Sequence, residues 1–156
     1  GYYDNEEATK EAIEEDGWFH TGDLARIDKD GYIYISGRKK NVIVLQNGKN
    51  IYPEEIEILI NKIQGIKECI VYGKPDNGDL SIAVKVVYDK EQMKELYNIE
   101  QEDKIKEFIW EEIKKINKTM PAYKYIRDLI VTEEELIKTT TLKVKRHEEI
   151  KRILNS

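Results

Sequence analysis

Few side chains in this sequence could do chemistry, and none stands in a familiar constellation. There is no Gly-x-Ser-x-Gly elbow for a nucleophilic serine and no His-Glu-x-x-His for zinc. Gly17 to Gly22 and Gly73 to Gly78 each have the opening spacing of a phosphate loop. Neither is followed by Lys-Ser or Lys-Thr, so neither is a Walker motif. Cys69 lies in an apolar run and reads as a buried structural thiol rather than a nucleophile. His147 sits among charged residues and reads as solvated. His20 precedes Thr-Gly-Asp and fits either a surface or a site. With 31 Asp and Glu residues, most carboxylate pairs belong to solvated faces. One cysteine and two histidines argue against a structural zinc, and no metal site is expected.

The elements that must position these groups follow from the patterning. Residues 6–15 read as a short acidic helix stopped by Gly17. DLARID (23–28) and YIYIS (32–36) flank Lys-Asp-Gly, a hairpin in which Asp30-Gly31 supplies the positive-φ residues. GRKKN (37–41) is a charged connector, VIVL (42–45) a buried strand and QNGKN (46–50) a turn. Pro53 with Glu54 and Glu55 opens a helix, since proline suits its first position and carboxylates its positive end. Ile56, Leu59, Ile60 and Ile63 give it one apolar face, and Gly65 should end it. Strands are expected at 67–73, 81–89 and 125–131. The longest helix is expected over 101–118, with a stripe of Ile105, Phe108, Ile109, Ile113 and Ile116. A polar stretch over 138–143 leads into a last helix near 145–154. From residue 41 the order is β-α-β-β-α-β-loop-α: an α+β fold, a small sheet covered by helices. A boundary is placed near 37–41.

Composition narrows the function classes. The 156 residues carry 26 basic against 31 acidic side chains, a net charge of −5, which argues against a nucleic-acid partner. A hydrophobic fraction of 40% is enough for a core. No apolar run approaches the roughly 20 residues of a membrane helix. The start is polar and acidic, unlike a signal peptide, and a reducing cytoplasm is the expected compartment. Residue 1 is Gly rather than Met, so the chain is expected to be processed or cut from something longer. Composition and periodicity alone stop at a soluble α+β domain.

Three stretches go further: GWFHTGDLARIDKDGYIYISGR (17–38), the overlapping GRKKNVIVLQNGKNIYPEEIE (37–57), and KTTTLKVKR (138–146). In this order they resemble the C-terminal part of the adenylate-forming superfamily. That superfamily includes acyl-CoA synthetases, luciferases and the adenylation domains of peptide synthetases. The resemblance spans nearly the whole chain, and its wording looks closest to bacterial long-chain fatty acid–CoA ligases. It implies two steps: a carboxylate attacks the α-phosphate of ATP to give acyl-AMP and pyrophosphate, then the thiol of coenzyme A displaces AMP. It also implies a small C-terminal domain that closes over a large N-terminal one in two orientations.

Residue roles are carried over from the motifs. Asp23 in HTGD matches the aspartate that accepts hydrogen bonds from the ribose hydroxyls, for which an acceptor-only carboxylate is suited. Arg38 matches the arginine that reaches the same ribose with a rigid donor fork. Lys40 matches the hinge, where only backbone rotation is needed. Gly48 matches the loop facing the pantetheine arm of CoA in the second step. Lys143 matches the catalytic lysine, whose ammonium offsets charge between the α-phosphate and the incoming carboxylate. Many superfamily members have Gly before this lysine and here stands Leu142; the motif's register selects Lys143 over Lys145.

The resemblance divides the chain into residues 1–37, the last piece of the large domain; a hinge at 38–41; and a lid domain at 42–156. ATP, Mg2+ held mainly by the missing N-terminal domain, and CoA are the implied cofactors and co-substrate. A fatty acid is the implied acyl donor, and peripheral membrane contact of the intact enzyme is allowed. No Ser/Thr/Gly-rich triphosphate loop is present, so this chain alone is expected to be inactive. Two other readings stay open: the lid of a ligase for aryl or amino acids, and a non-catalytic lid-like module that binds a partner surface.

Overall fold

The computed structural model describes residues 1–155, which divide into two units, Gly1–Val42 and Ile43 onward. The first unit starts with α1 (Glu6–Ala12), whose N-terminus is capped by the Asn5 carboxamide oxygen accepting the Ala8 N–H at 2.9 Å. Strands β1 (Asp23–Ile27) and β2 (Ile33–Arg38) follow as an antiparallel hairpin with an irregularity between Leu24 and Ala25. Gly37 is the sole buried residue of this unit. Trp18, Phe19, Ile27, Tyr32, Ile33 and Ile35 are all more than half exposed. A two-stranded ribbon with no buried apolar face gains almost nothing from the hydrophobic effect by itself.

The second unit holds the core. Strands β3 (Ile43–Val44) and β4 (Asn50–Ile51) form a minimal ladder, and the expected strand over 42–45 shrinks to two residues. Helix α2 (Pro53–Ile60) starts at Pro53 as expected but ends at Ile60, short of Gly65. Strands β5 (Ile66–Asp76) and β6 (Asp79–Tyr88) are a long antiparallel pair joined through Asn77 and Gly78, both at positive φ. Then come α3 (Lys90–Tyr97), α4 (Glu102–Asn117), β7 (Ile126–Thr132) and α5 (Arg146–Leu154). The three-stranded sheet has the order β5-β6-β7, with β7 parallel to β6. The structure is α+β, as the patterning implies.

Periodicity explains the first face of the sheet. Ile105, Ile109 and Ile113 of α4 and Ile56 and Ile60 of α2 are essentially fully buried against Val71, Val84 and Val86. At the end of α4, the buried Asn117 carboxamide donates to the Ile126 carbonyl at 3.0 Å and accepts its N–H at 2.9 Å. That pair fixes the start of β7 and gives both ends of the buried carboxamide a partner.

The second face is closed differently. Ile70, Val87 and Leu136 form a small buried cluster there, with Ile150 and Ile153 of α5 packed on it. Part of the seal is ionic. Glu149 is 0% exposed. Its carboxylate accepts from the Lys85 ammonium at 2.9 Å, the Arg152 guanidinium at 2.8 Å and the Ile137 N–H at 2.9 Å. Burial opposes its ionisation, but these donors outweigh burial and hold its carboxyl below the usual glutamate range.

Between the two faces, at the outer side of β5, one guanidinium nitrogen of Arg146 of α5, Nη2, lies 2.5 and 2.6 Å from the two carboxylate oxygens of Glu57 of α2. The same two side chains take up the Val71 backbone: Glu57 accepts its N–H at 2.7 Å and Arg146 donates to its carbonyl at 2.8 Å. Burial raises the Glu57 carboxyl, while Arg146 and the Val71 N–H pull it down.

Candidate functional site

The stretch from 137 to 146 is held at both ends. Ile137 is fixed by Glu149 through its N–H and accepts the Lys145 N–H at 2.7 Å. Arg146 is fixed by Glu57 and Val71. Lys138 bridges Glu68 at 3.1 Å and Glu135 at 3.0 Å, and its backbone pairs with Val144. From this base a tight hairpin projects. The Thr139 N–H donates to the Lys143 carbonyl at 2.8 Å, and the Leu142 N–H to the Thr139 carbonyl at 2.9 Å. Leu142 is left-handed at φ 60°.

Lys143 lies at the end of this hairpin, exposed, with no ion-pair partner for its ammonium among the described residues. Lys145, two residues on, pairs with Glu148 at 3.0 Å. The two lysines left open by composition therefore have different surroundings: one is presented, the other folded onto the start of α5.

Asp23 and Arg38 are cross-strand partners at the open end of the first hairpin, and the Arg38 Nε lies 3.2 Å from the Asp23 carboxylate. Register alone brings these two candidates together. Both keep solvent access, so the pair can open toward a ligand with little loss. His20, nearby in sequence, pairs with Glu14 at 2.6 Å. Lys40 lies in a single turn of 3-10 helix, Lys39–Asn41, and is exposed.

Gly48 sits in the turn between β3 and β4. It has φ 76°, and a Cβ built on it would meet nothing within 4 Å. The glycine is therefore required by conformation rather than by space within this unit. The turn is anchored by Gln46, whose N–H donates to Asp79 at 3.0 Å and whose carboxamide bonds the Gly78 carbonyl. Lys49 lies over the Tyr123 ring at 4.3 Å. Gly48→Ala should lower stability by about 1 kcal/mol, the cost of a Cβ in the left-handed region. Urea unfolding would read this as a lower midpoint, and an unchanged midpoint would remove the conformational requirement.

Cys69 is buried, its thiol 3.8 Å from the Glu57 carbonyl, and burial pushes its pKa up, as befits an inert thiol. His147 is exposed on α5. No group of three or more His, Cys, Asp or Glu side chains able to hold a metal occurs among the described residues. Among the described residues, no helix is long and apolar enough to cross a membrane.

Sequence reasoning overlooked Thr139, Glu57, Arg146 and Glu149, which build the base of the lysine hairpin. For α5 a signal existed: Arg146, Glu149, Ile150 and Ile153 fall at i, i+3, i+4 and i+7, so two charges share the apolar face.

Residues 40–153 match the family model described as the AMP-binding enzyme C-terminal domain. Among curated proteins, the long-chain-fatty-acid–CoA ligase FadD13 of Mycobacterium tuberculosis (strain ATCC 25618 / H37Rv) is 41% identical over 101 residues. These are 64% of this chain and 20% of that protein. The 2-succinylbenzoate–CoA ligase of Listeria monocytogenes serotype 4b (strain F2365) is 35% identical over 147 residues, 94% of this chain and 28% of that protein. Among solved structures, the anthranilate CoA ligase AuaEII in complex with anthranoyl-AMP superposes with a TM-score of 0.78 at 26% identity. The match covers 97% of this chain and 27% of that one. Thus the chain spans 14% to 28% of the length of such curated relatives.

Proposed function

The chain belongs to the AMP-binding enzyme C-terminal domain family, and from that premise we propose that it works as the closing part of an AMP-forming acyl-CoA ligase, with fatty acids as its acyl substrates. The observation that carries the reading is the hairpin at 139–143: a clamped base, a projecting turn and an exposed lysine without a carboxylate partner among the described residues.

In the first step, the substrate carboxylate attacks the α-phosphate and pyrophosphate leaves. Two anionic groups must approach, and charge grows on the α-phosphate oxygens. The Lys143 ammonium, brought between them, lowers that repulsion by electrostatics and positioning. Asp23 accepts hydrogen bonds from the ribose hydroxyls, and Arg38 donates to its oxygens once their mutual pair opens. In the second step the CoA thiolate attacks the acyl carbon and AMP leaves; the Gly48 turn then faces the pantetheine arm. Residues 1–37 complete a larger upstream domain, 38–41 form the hinge with Lys40, and 42–156 form the lid. The first unit's bare apolar residues support a missing partner for it. Magnesium comes with ATP and is held mainly by the upstream domain. The reading includes a cytoplasmic setting, in which Cys69 remains a thiol.

Pyrophosphate release is the test, with ATP, magnesium and a panel of acids, on this chain mixed with the separately expressed upstream region. Release with fatty acids in the mixture, and none from the chain alone, is expected. Release confined to aryl acids would replace the substrate class and favour the reading suggested by the 2-succinylbenzoate–CoA ligase relative. No release from a mixture that demonstrably assembles would favour a binding module.

A further inference from the structure

Four turns among the described residues share one hydrogen-bond pattern. In each, the N–H of the first residue donates to the carbonyl of the fifth, and the N–H of the fourth donates to the carbonyl of the first. Glu14 to Trp18 does this at 2.8 and 2.9 Å, Asp28 to Tyr32 at 3.0 and 3.1 Å, Leu45 to Lys49 at 3.0 and 2.9 Å, and Thr139 to Lys143 at 2.8 and 2.9 Å. The pattern is a three-residue hairpin loop whose fourth residue must be left-handed. That residue is Gly17 at φ 93°, Gly31 at φ 85°, Gly48 at φ 76° and Leu142 at φ 60°. Three turns use the residue that adopts this conformation freely. The fourth, which carries Lys143, uses one that does so at a cost, because its Cβ crowds the carbonyl that follows.

Burial does not offset the cost. Leu142 is 79% exposed. A side-chain bond supports the turn instead: the Thr139 hydroxyl accepts the Lys143 N–H at 3.1 Å and lies 2.9 Å from the Thr141 hydroxyl. Thr139 thus engages residues 142 and 143 through its N–H, carbonyl and side chain together. Outside the turn the chain is pinned at Ile137, Lys138, Lys145 and Arg146. Any opening is confined to residues 139–143.

Resting on the ligase reading above, we propose that Thr139 and Leu142 form an opposed positioning pair for Lys143. The strained leucine biases the turn toward opening, and the threonine hydroxyl holds it closed with the lysine presented. The two act in opposition, so removing both should leave the turn near its parent balance.

Amide hydrogen exchange on this chain and half-reaction kinetics on the full-length polypeptide test the pair. Thr139→Val should speed exchange at the Lys143 amide about fivefold, the value of one neutral hydrogen bond, and Thr139→Ser should not. Leu142→Gly should slow that exchange by a similar factor, and should return Thr139→Val toward the parent rate. In kinetics, Thr139→Val should lower kcat for pyrophosphate release about fivefold, with KM for the acid unchanged. Thioester formation from supplied acyl-adenylate should not change, and Thr139→Ser or added Leu142→Gly should restore release. A double variant that exchanges as fast as Thr139→Val alone would overturn the opposition. Release abolished by Lys143→Ala but untouched by Thr139→Val would overturn the proposal alone. Release that survives Lys143→Ala would overturn the ligase reading beneath it.

Discussion

Lys143→Ala in the full-length polypeptide should cut pyrophosphate release by about 100- to 1,000-fold, the scale seen when one preorganised donor to a developing charge is removed. Thioester formation from supplied acyl-adenylate should stay near the parent rate, because the ammonium is needed only where carboxylate and phosphate approach. The substitution is clean in structural terms. Lys143 is exposed and holds no ion pair among the described residues, so folding is not at stake. Lys145→Ala is the matched control: it removes a surface pair with Glu148, worth about 0–1 kcal/mol. Equal loss in both half-reactions would mean that Lys143 serves the fold or the nucleotide in general. A larger effect from Lys145 would move the catalytic role two residues on.

The largest loss of stability should come from Glu149→Ala, about 3–5 kcal/mol, since it strands the Lys85 ammonium in a buried site. Replacing both partners with apolar residues, Lys85→Met with Glu149→Leu, should recover most of that loss. The Ile137 N–H would remain unpaired and keep the recovery partial. The pair also has a pH signature. The folded carboxyl of Glu149 titrates below the ordinary glutamate value of 4.5. Its contribution is therefore complete above that value and is lost as pH falls through the lower folded one. Urea midpoints measured from neutral to acid pH should show that dependence in the parent and a weaker one in the double variant. A double variant as unstable as Glu149→Ala would mean the seal is made by shape rather than charge.

Local physics made most of the elements legible. Pro53-Glu54-Glu55 opens a helix by its own chemistry, Asp30-Gly31 turns a hairpin, and Ile105, Ile109 and Ile113 describe one buried stripe. The family, too, could be read, because its motifs bundle residues that composition treats as ordinary: Lys143 is one of 21 lysines. What escaped had a different cause in each case. β4 is two residues long and carries no period. α3 buries only Met93, so its stripe is too thin to see, although the Asp89 carboxylate caps its start by accepting the Gln92 N–H. The parallel pairing of β6 with β7 is a long-range event that no window of sequence contains. The roles of Glu57, Arg146 and Glu149 depend on helices meeting across a sheet. In an acid-rich chain nothing local separates these carboxylates from solvated ones.

The Glu57–Arg146 pair has a consequence for how this sheet meets other molecules. An outermost strand offers a row of free amides and carbonyls to any extended segment that comes by, and natural sheets must blunt it. At Val71 that offer is withdrawn by two side chains that imitate a neighbouring strand, one supplying an acceptor and the other a donor. The donor belongs to the last helix and the acceptor to the first helix of this unit. The edge is therefore guarded only after both have folded. A nascent or partly unfolded chain, with β5 and β6 zipped but α5 not yet docked, would present eleven residues of open strand to its neighbours. Solubility of the folding intermediate, rather than of the finished protein, is where that arginine matters most.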